Sequence, residues 1–426
     1  MLFIQNGTII DPVYGDMLEA DILIENDRIT MIRDRRRKDR YIVPPQAEIL
    51  DATGCLVGPG LVDTHVHFRD PGFTYKEDII SGGKAAVKGG FTSIVLMANT
   101  KPAVDNLDTL SYVLGKGEET GIRIYSCANV TYGLQGKELT DFEKLYEAGA
   151  VGFTDDGIPL LNEDIVRRAM ECCKKLGCPI SFHEEDPSVI TNNGINQGLA
   201  SEYYGIGGSP REAEIRLIER DLKLAEETGA TMVVQHISTK EGVELVRNAK
   251  KNGIHVYAEV TPHHFTLTEE AVIEKGTYAK MNPPLRTKED RDAIIKGIQD
   301  GTIDLIATDH APHSKEEKEK KITEAPSGII GLETSLPLAI RELVMKGVIT
   351  YPELFKRMST TPCKLYGIEG GTVQEEGLAD LVIFCPEEAF EVKDFCSKSA
   401  NSPFVGEILP GVIKATICKG KVVYRA

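Results

Sequence analysis

The spacing of hydrophobic and polar positions changes twice along the chain. Over the first 55 or so residues, short apolar or alternating segments at 2–4, 8–10, 20–25 and 29–32 are separated by turn signals at Asn6-Gly7 and Glu25-Asn26-Asp27. The last 50 or so read the same way, with strand-like segments at 381–384, 412–418 and 422–424 and a tight turn at Lys419-Gly420-Lys421. Between them, short β-branched segments alternate with helical stretches of period 3.6.

Eight strands are predicted there, at 61–67, 91–99, 122–128, 150–154, 179–183, 231–236, 255–260 and 304–308. Helical stretches at 76–88, 140–148, 162–176, 210–228, 240–251 and 288–299 fall between them. Eight βα units over 57–365 fit a (β/α)8 TIM barrel better than a doubly wound open sheet. Neither end carries enough apolar surface for its own core, so 1–56 and 366–426 are expected to form one small β-sandwich domain.

Charge and cysteine usage narrow the classes. A net charge of -16 repels nucleic acid and anionic membranes, so neither is expected as a partner. The basic run at 33–40 (RDRRRKDR) reads as a solvated turn between strands rather than a partner-binding patch. No signal-peptide pattern is present, and no apolar run reaches the roughly 18 residues of a membrane span. Nine scattered cysteines without a CxxC pair read as buried thiols of a reducing compartment, which places the chain in the cytoplasm.

The candidate chemistry lies at the strand ends. The first barrel strand ends in Asp63-Thr-His65-Val-His67, whose two histidines share a face because side chains alternate. The fourth runs into Asp155-Asp156-Gly157, the fifth ends at His183, the sixth at His236, and the eighth at Asp309-His310. All fall at the end where barrel enzymes place their sites. Imidazoles and carboxylates without thiolates suit zinc. Six ligands suit two ions: His65, His67 and Asp309 on one, His183 and His236 on the other, with Asp155 and a hydroxide bridging. Asp309 is the candidate catalytic residue, exchanging the hydroxide proton with the leaving nitrogen. Arg69 has the planar fork for a substrate carboxylate, and Asn99, Asn282 and His313 lie on the same rim. The turn-rich loop 314–328 reads as a lid or an exposed excursion, and His263-His264 as structural residues of a strand.

Several stretches together resemble the dihydroorotase family, in its type I bacterial and archaeal form within the amidohydrolase superfamily. They are 59–73 (PGLVDTHVHFRDPGF), 90–103, 152–158 (GFTDDGI), 280–286 (KMNPPLR), 306–314 (IATDHAPHS), 331–335, 379–385 and 401–405. The resemblance implies a barrel with a β domain from both termini. It makes His65, His67, Asp155, His183, His236 and Asp309 the ligands of a Zn2+ pair, and gives the substrate carboxylate to Arg69, Asn99 and His313 and the ring pocket to Asn282. The implied reaction is reversible cyclisation of N-carbamoyl-L-aspartate to L-dihydroorotate and water, in de novo pyrimidine (UMP) biosynthesis. It also brings a homodimer, or association with aspartate carbamoyltransferase, as expected partners. The alternatives are a hydantoinase, dihydropyrimidinase or allantoinase, or a noncatalytic scaffold for that transferase.

Overall fold

The computed structural model describes residues 1–37 and 41–426. The N-terminal apolar segments form β1 (Leu2–Asp11), β2 (Asp16–Glu25), β3 (Arg28–Asp34), β4 (Glu48–Asp51) and β5 (Leu56–Pro59). The barrel strands follow as β6 (Leu61–Val66), β7 (Phe91–Leu96), β8 (Arg123–Ala128), β9 (Ala150–Thr154), β10 (Ile180–Phe182), β11 (Met232–Val234), β12 (Val256–Val260) and β13 (Leu305–Ile306). The C-terminal segments supply β14 (Leu381–Glu391), β15 (Ile408–Cys418) and β16 (Lys421–Arg425).

Strands β6 to β13 pair in sequence order as one parallel sheet of eight. A bridge from Val66 to His310 closes it, supported by the His67 N–H donating to the His310 carbonyl at 2.9 Å. The helix Glu163–Leu176 shows how its layer forms: Asn162 caps its first turn, and Ile165, Val166, Ala169, Met170 and Cys173 make a buried stripe. Gly177, at φ 74°, ends it. The helix Leu107–Gly117 was not among the predicted ones; two glycines near its end weaken the apolar period there.

The terminal strands make a mixed sheet in the order β16-β15-β14-β5-β1-β2-β3, with β4 also on β1. Asn6-Gly7, expected as a turn, is instead a bulge inside β1: the register with β2 slips between Ile4 and Gly7, and Asn6 adopts φ 66°. A left-handed Asn before Gly serves either structure, and pairing of β1 on both flanks selects the bulge. The expected turn at the end of the chain is present, with Lys419 and Gly420 at φ 53° and 70° joining β15 to β16.

Not all nine cysteines are free thiols, as the sequence had suggested. Cys55 and Cys385 are joined by a disulfide across β5 and β14, and the other seven are free. The pair is 330 residues apart in sequence, so only the register of the two strands brings it together. Of the basic run, Lys38, Asp39 and Arg40 lie outside the described residues; Arg36 makes an ion pair with Asp34 at 2.8 Å, and Arg33 with Asp21 at 3.3 Å. Among the described residues, no helix is long and apolar enough to cross a membrane.

The two sheets meet where β5 hands the chain to β6. A Cβ on Gly58 would stand 2.2 Å from the Phe355 ring, which itself stacks on Phe384 of β14 with centroids 5.7 Å apart. Gly60 is tied alongside, its carbonyl accepting from the Ser359 hydroxyl at 2.6 Å. Substituting Gly58→Val should therefore overpack this seam and lower unfolding stability by about 1–3 kcal/mol. Denaturant titration of that variant, with and without Phe355→Leu, checks it: the second change should restore part of the loss.

Candidate metal centre

The carboxyl ends of β6, β10 and β11 converge on Asp156, at the end of β9. Its Oδ1 lies 3.4 Å from His65 Nε2 and 3.7 Å from both His183 Nδ1 and His236 Nε2, and its Oδ2 lies 3.4 Å from His67 Nε2. Asp309, beyond β13, reaches the first pair: its Oδ1 is 3.0 Å from His67 Nε2 and 3.6 Å from His65 Nε2. Two triads suited to a cation result, His65/His67/Asp156 and Asp156/His183/His236, with Asp156 common to both. Every member is buried.

The carboxylate expected at this place was Asp155, and the structure corrects it to its neighbour. Asp155 turns away from the histidines and accepts from the Val130 N–H at 2.8 Å, the Thr131 N–H at 3.2 Å, the Asn129 amide at 3.3 Å and the Thr131 hydroxyl. Alternation explains the swap. Phe153 stacks on Phe142 of the helix layer, so Asp155 shares that outward side and Asp156 takes the other. Reading parity from Phe153, rather than taking the first Asp of the pair, would have found it.

A set of partners fixes which nitrogen each imidazole offers. The His65 Nδ1–H donates to Glu259 Oε1 at 2.8 Å, leaving Nε2 toward the carboxylates. Glu259 also accepts from the Thr64 hydroxyl at 3.0 Å and the His236 N–H at 3.3 Å, so one side chain of β12 anchors both β6 and the end of β11. The His67 Nδ1–H meets Asn99 Oδ1 at 3.0 Å, and the His183 Nε2–H meets Glu185 Oε2 at 3.1 Å. Such outer carboxylates and amides orient metal-binding histidines and raise their basicity. The sequence carried a signal for Glu259, an acid inside an apolar strand, since a buried Glu requires partners. Below this layer, Asp63 accepts from the N–H groups of His65 and Thr308, both at 3.1 Å, which locks β6 to the end of β13. Burial pushes its carboxyl up to about 7 against those hydrogen bonds.

The cluster is electrostatically incomplete as protein alone. His65 Nε2 and Asp156 Oδ1 are buried without a hydrogen-bond partner, although they face each other. An unmatched buried polar atom costs about 1–3 kcal/mol. A cation between imidazole lone pairs and carboxylates satisfies these atoms, so the residues present fit a two-ion site. Burial alone would raise Asp156, but the facing histidines hold it well below the usual carboxylate range. Burial opposes charge on His183 too, yet hydrogen bonds to Asp156 and Glu185 lift it to about 9. Backbone strain collects here: Arg69, His236 and Asp309 adopt φ 59°, 33° and 47°.

A cavity of about 140 Å³ opens beside the cluster. Arg69, Asn99 and Asn282 line it as expected on the rim, joined by Gly157, Ser327 and Gly328, which the sequence reading had not singled out. His313 does not line it. It stands behind Arg69, with Nε2 3.4 Å from the guanidinium and 2.8 Å from the Ser327 carbonyl. The loop 314–328 is pinned rather than free: Lys318 Nζ donates to the carbonyls of Pro326 and Gly328 at 2.9 and 3.0 Å, and Lys280 Nζ to those of Ile322 and Ala325 at 2.8 and 2.7 Å. His263 and His264 lie on a short helix, Pro262–Thr266, not on a strand; burial keeps both imidazoles neutral, and His264 bonds Thr261 and the Pro283 carbonyl.

These geometries separate two neighbouring acids experimentally. Asp156→Asn should lower bound metal from two ions per chain to less than one by elemental analysis. Asp155→Asn should leave the metal content near two and reduce thermal stability instead, because it breaks a buried carboxylate cap worth about 1–3 kcal/mol.

The chain is similar to known proteins in both sequence and fold. The family model described as Dihydro-orotase-like matches residues 54–242. The chain is 51% identical to a dihydroorotase of Clostridioides difficile over 100% of both chains, and 47% identical to one of Lactococcus lactis over 100% of this chain and 99% of that one. Among solved structures, an L-hydantoinase (dihydropyrimidinase) of Arthrobacter aurescens superposes with a TM-score of 0.88 at 28% identity, covering 100% of this chain and 96% of that one. A D-hydantoinase (dihydropyrimidinase) of Thermus sp. gives 0.85 at 25% identity, over 100% and 95%. With full-length identity of this order to dihydroorotases, the chain belongs to the dihydroorotase family.

Proposed function

We infer that the cavity interconverts N-carbamoyl-L-aspartate and L-dihydroorotate, the ring-closing step of pyrimidine biosynthesis. The observation that carries this reading is the pair of triads sharing Asp156, set beside Arg69 and Asn99 in a chain of this family. His65, His67 and Asp309 would hold one ion, His183 and His236 the other, and Asp156 both. Zinc is the metal these donors suit, with six nitrogen and oxygen side chains and no thiolate. When bound, the ions lower the pKa of water and polarise the carbonyl under attack.

The side chains supply the rest. Arg69 and Asn99 hold the ring carboxylate, and Asn282 lines the ring pocket. In the hydrolytic direction a water oxygen bonds to the amide carbonyl next to the CH2 group, and the C–N bond breaks. Asp309 takes the proton that the water loses and delivers it to the departing ring nitrogen. In the synthetic direction the same proton runs back. The cationic wall gives this site its preference for a carboxylated ring over an uncharged hydantoin or dihydrouracil. The terminal strands and the barrel form two modules, 1–56 with 366–426 and 57–365.

Steady-state kinetics test the two assignments separately. Arg69→Met should cut kcat/KM for dihydroorotate about a hundredfold, while turnover of dihydrouracil, where detectable, changes little. Equal losses on both rings would remove Arg69 from carboxylate recognition. Asp309→Asn should lower kcat in both directions by about 10²–10⁴.

A further inference from the structure

Behind the carboxylate wall, three side chains make a contact set that the reaction as described does not use. Lys76, in the loop after β6, places Nζ 2.8 Å from Glu317 Oε1 and 3.3 Å from His313 Nδ1. The Tyr75 hydroxyl donates to the same Glu317 oxygen at 3.1 Å. Glu317 belongs to the short helix Lys315–Lys318 within the loop that carries Ser327 and Gly328. The set therefore joins the two loops that supply Arg69 and, through Ser327 and Gly328, the adjoining stretch of the cavity wall. The Lys76 side chain is only 12% exposed and Glu317 19%, so the ion pair is shielded from water and salt more than a surface pair.

The hydrogen bonds of His313 determine its tautomer. Nε2 faces the Ser327 carbonyl at 2.8 Å, nearer than the Arg69 guanidinium at 3.4 Å, and a carbonyl only accepts, so Nε2 carries the hydrogen. Nδ1 faces the Lys76 ammonium, which only donates, so Nδ1 must be a bare lone pair. A doubly protonated ring would point an N–H at an ammonium. We propose that Lys76 is a positioning residue: it holds His313 as the neutral Nε2–H tautomer, and through that ring fixes the Ser327 carbonyl and the wall against which the substrate carboxylate binds.

The surrounding charges agree. Arg69 and Lys76 face the ring from the loop after β6, and Glu317 and Lys318 from the loop beyond Asp309. Burial first, then the cations Arg69, Lys76 and Lys318, push the imidazole down to about 2, against the hydrogen bond to Ser327. Gly328 preserves the fit: at φ 114° it permits a backbone turn in which a Cβ would press to 2.7 Å of Ala311 and 3.5 Å of His313 Nε2.

Removing the ammonium has a specific consequence. In Lys76→Met the Glu317 carboxylate, 3.7 Å from Nδ1, is left without its cation and becomes the natural partner of a protonated His313. With one cation fewer and an uncompensated carboxylate beside Nδ1, His313 should then titrate well above its parent value, against the burial and the Arg69 and Lys318 charges that remain. The kinetic part of this inference rests on dihydroorotate being the substrate; the titration does not. The experiment uses metal-loaded protein labelled with 15N-histidine, with His313→Gln assigning the resonance. In the parent and in Lys76→Arg, the His313 ring nitrogens should hold constant shifts from about pH 5 to 9. In Lys76→Met they should titrate within that range. The KM of Lys76→Met for dihydroorotate should be about tenfold raised near pH 8.5 and approach the parent value near pH 6, where imidazolium replaces the lost charge. A His313 that titrates in the parent, or that stays silent in Lys76→Met, overturns the proposal. A parent that does not turn over dihydroorotate overturns the functional reading instead and leaves the titration result standing.

Discussion

One buried carboxylate facing four imidazoles sets the terms for this molecule. Asp156 lies within 3.4–3.7 Å of His65, His67, His183 and His236, with its Oδ1 unmatched by any hydrogen bond. Stripped of water, such an ion is tolerable only with charge and hydrogen-bond compensation. The barrel meets this need by adding donors and acceptors outward, layer by layer. Glu259, Asn99 and Glu185 fix the outer nitrogens of three histidines, and Asp63 ties the first strand to the last. Strain at His236 and Asp309 is the local cost of bringing both into reach.

The same logic extends to the substrate side. An anionic ring must enter a strongly acidic protein, and a local concentration of positive charge lets it do so. Arg69 stands at the cavity, while Lys76, Lys280 and Lys318 sit behind it, their charges absorbed by Glu317 and by backbone carbonyls. Cations used this way serve twice, as potential and as fasteners for the loop that supplies Ser327 and Gly328. A loop that looked like a candidate lid in sequence is, in the structure, a braced wall.

What could be read from the sequence follows from the range of each interaction. Strand ends were legible because period-2 burial and turn signals are local: β9 begins and ends where expected, and His65, His67, His183, His236 and Asp309 all arrive at one rim. The choice between Asp155 and Asp156 needed the facing of Phe153, which depends on what packs outside β9. The Cys55–Cys385 pair depends on strand neighbours far apart in sequence, and no local pattern encodes it; Glu259 stands out as an acid in an apolar strand, but its partners lie on other strands. His313 was expected on the rim, and its place behind Arg69 depends on the fold of the loop beyond it.

The claim on which the rest depends is that Asp156 is shared by two ions held close together. Electron paramagnetic resonance of the protein loaded with two Mn2+ per chain tests it most directly. A carboxylate common to both triads makes the ions a spin-coupled pair, so the spectrum should show the dense hyperfine pattern of coupled dimanganese, lost in Asp156→Asn. Two independent six-line Mn2+ signals at full loading would contradict the account.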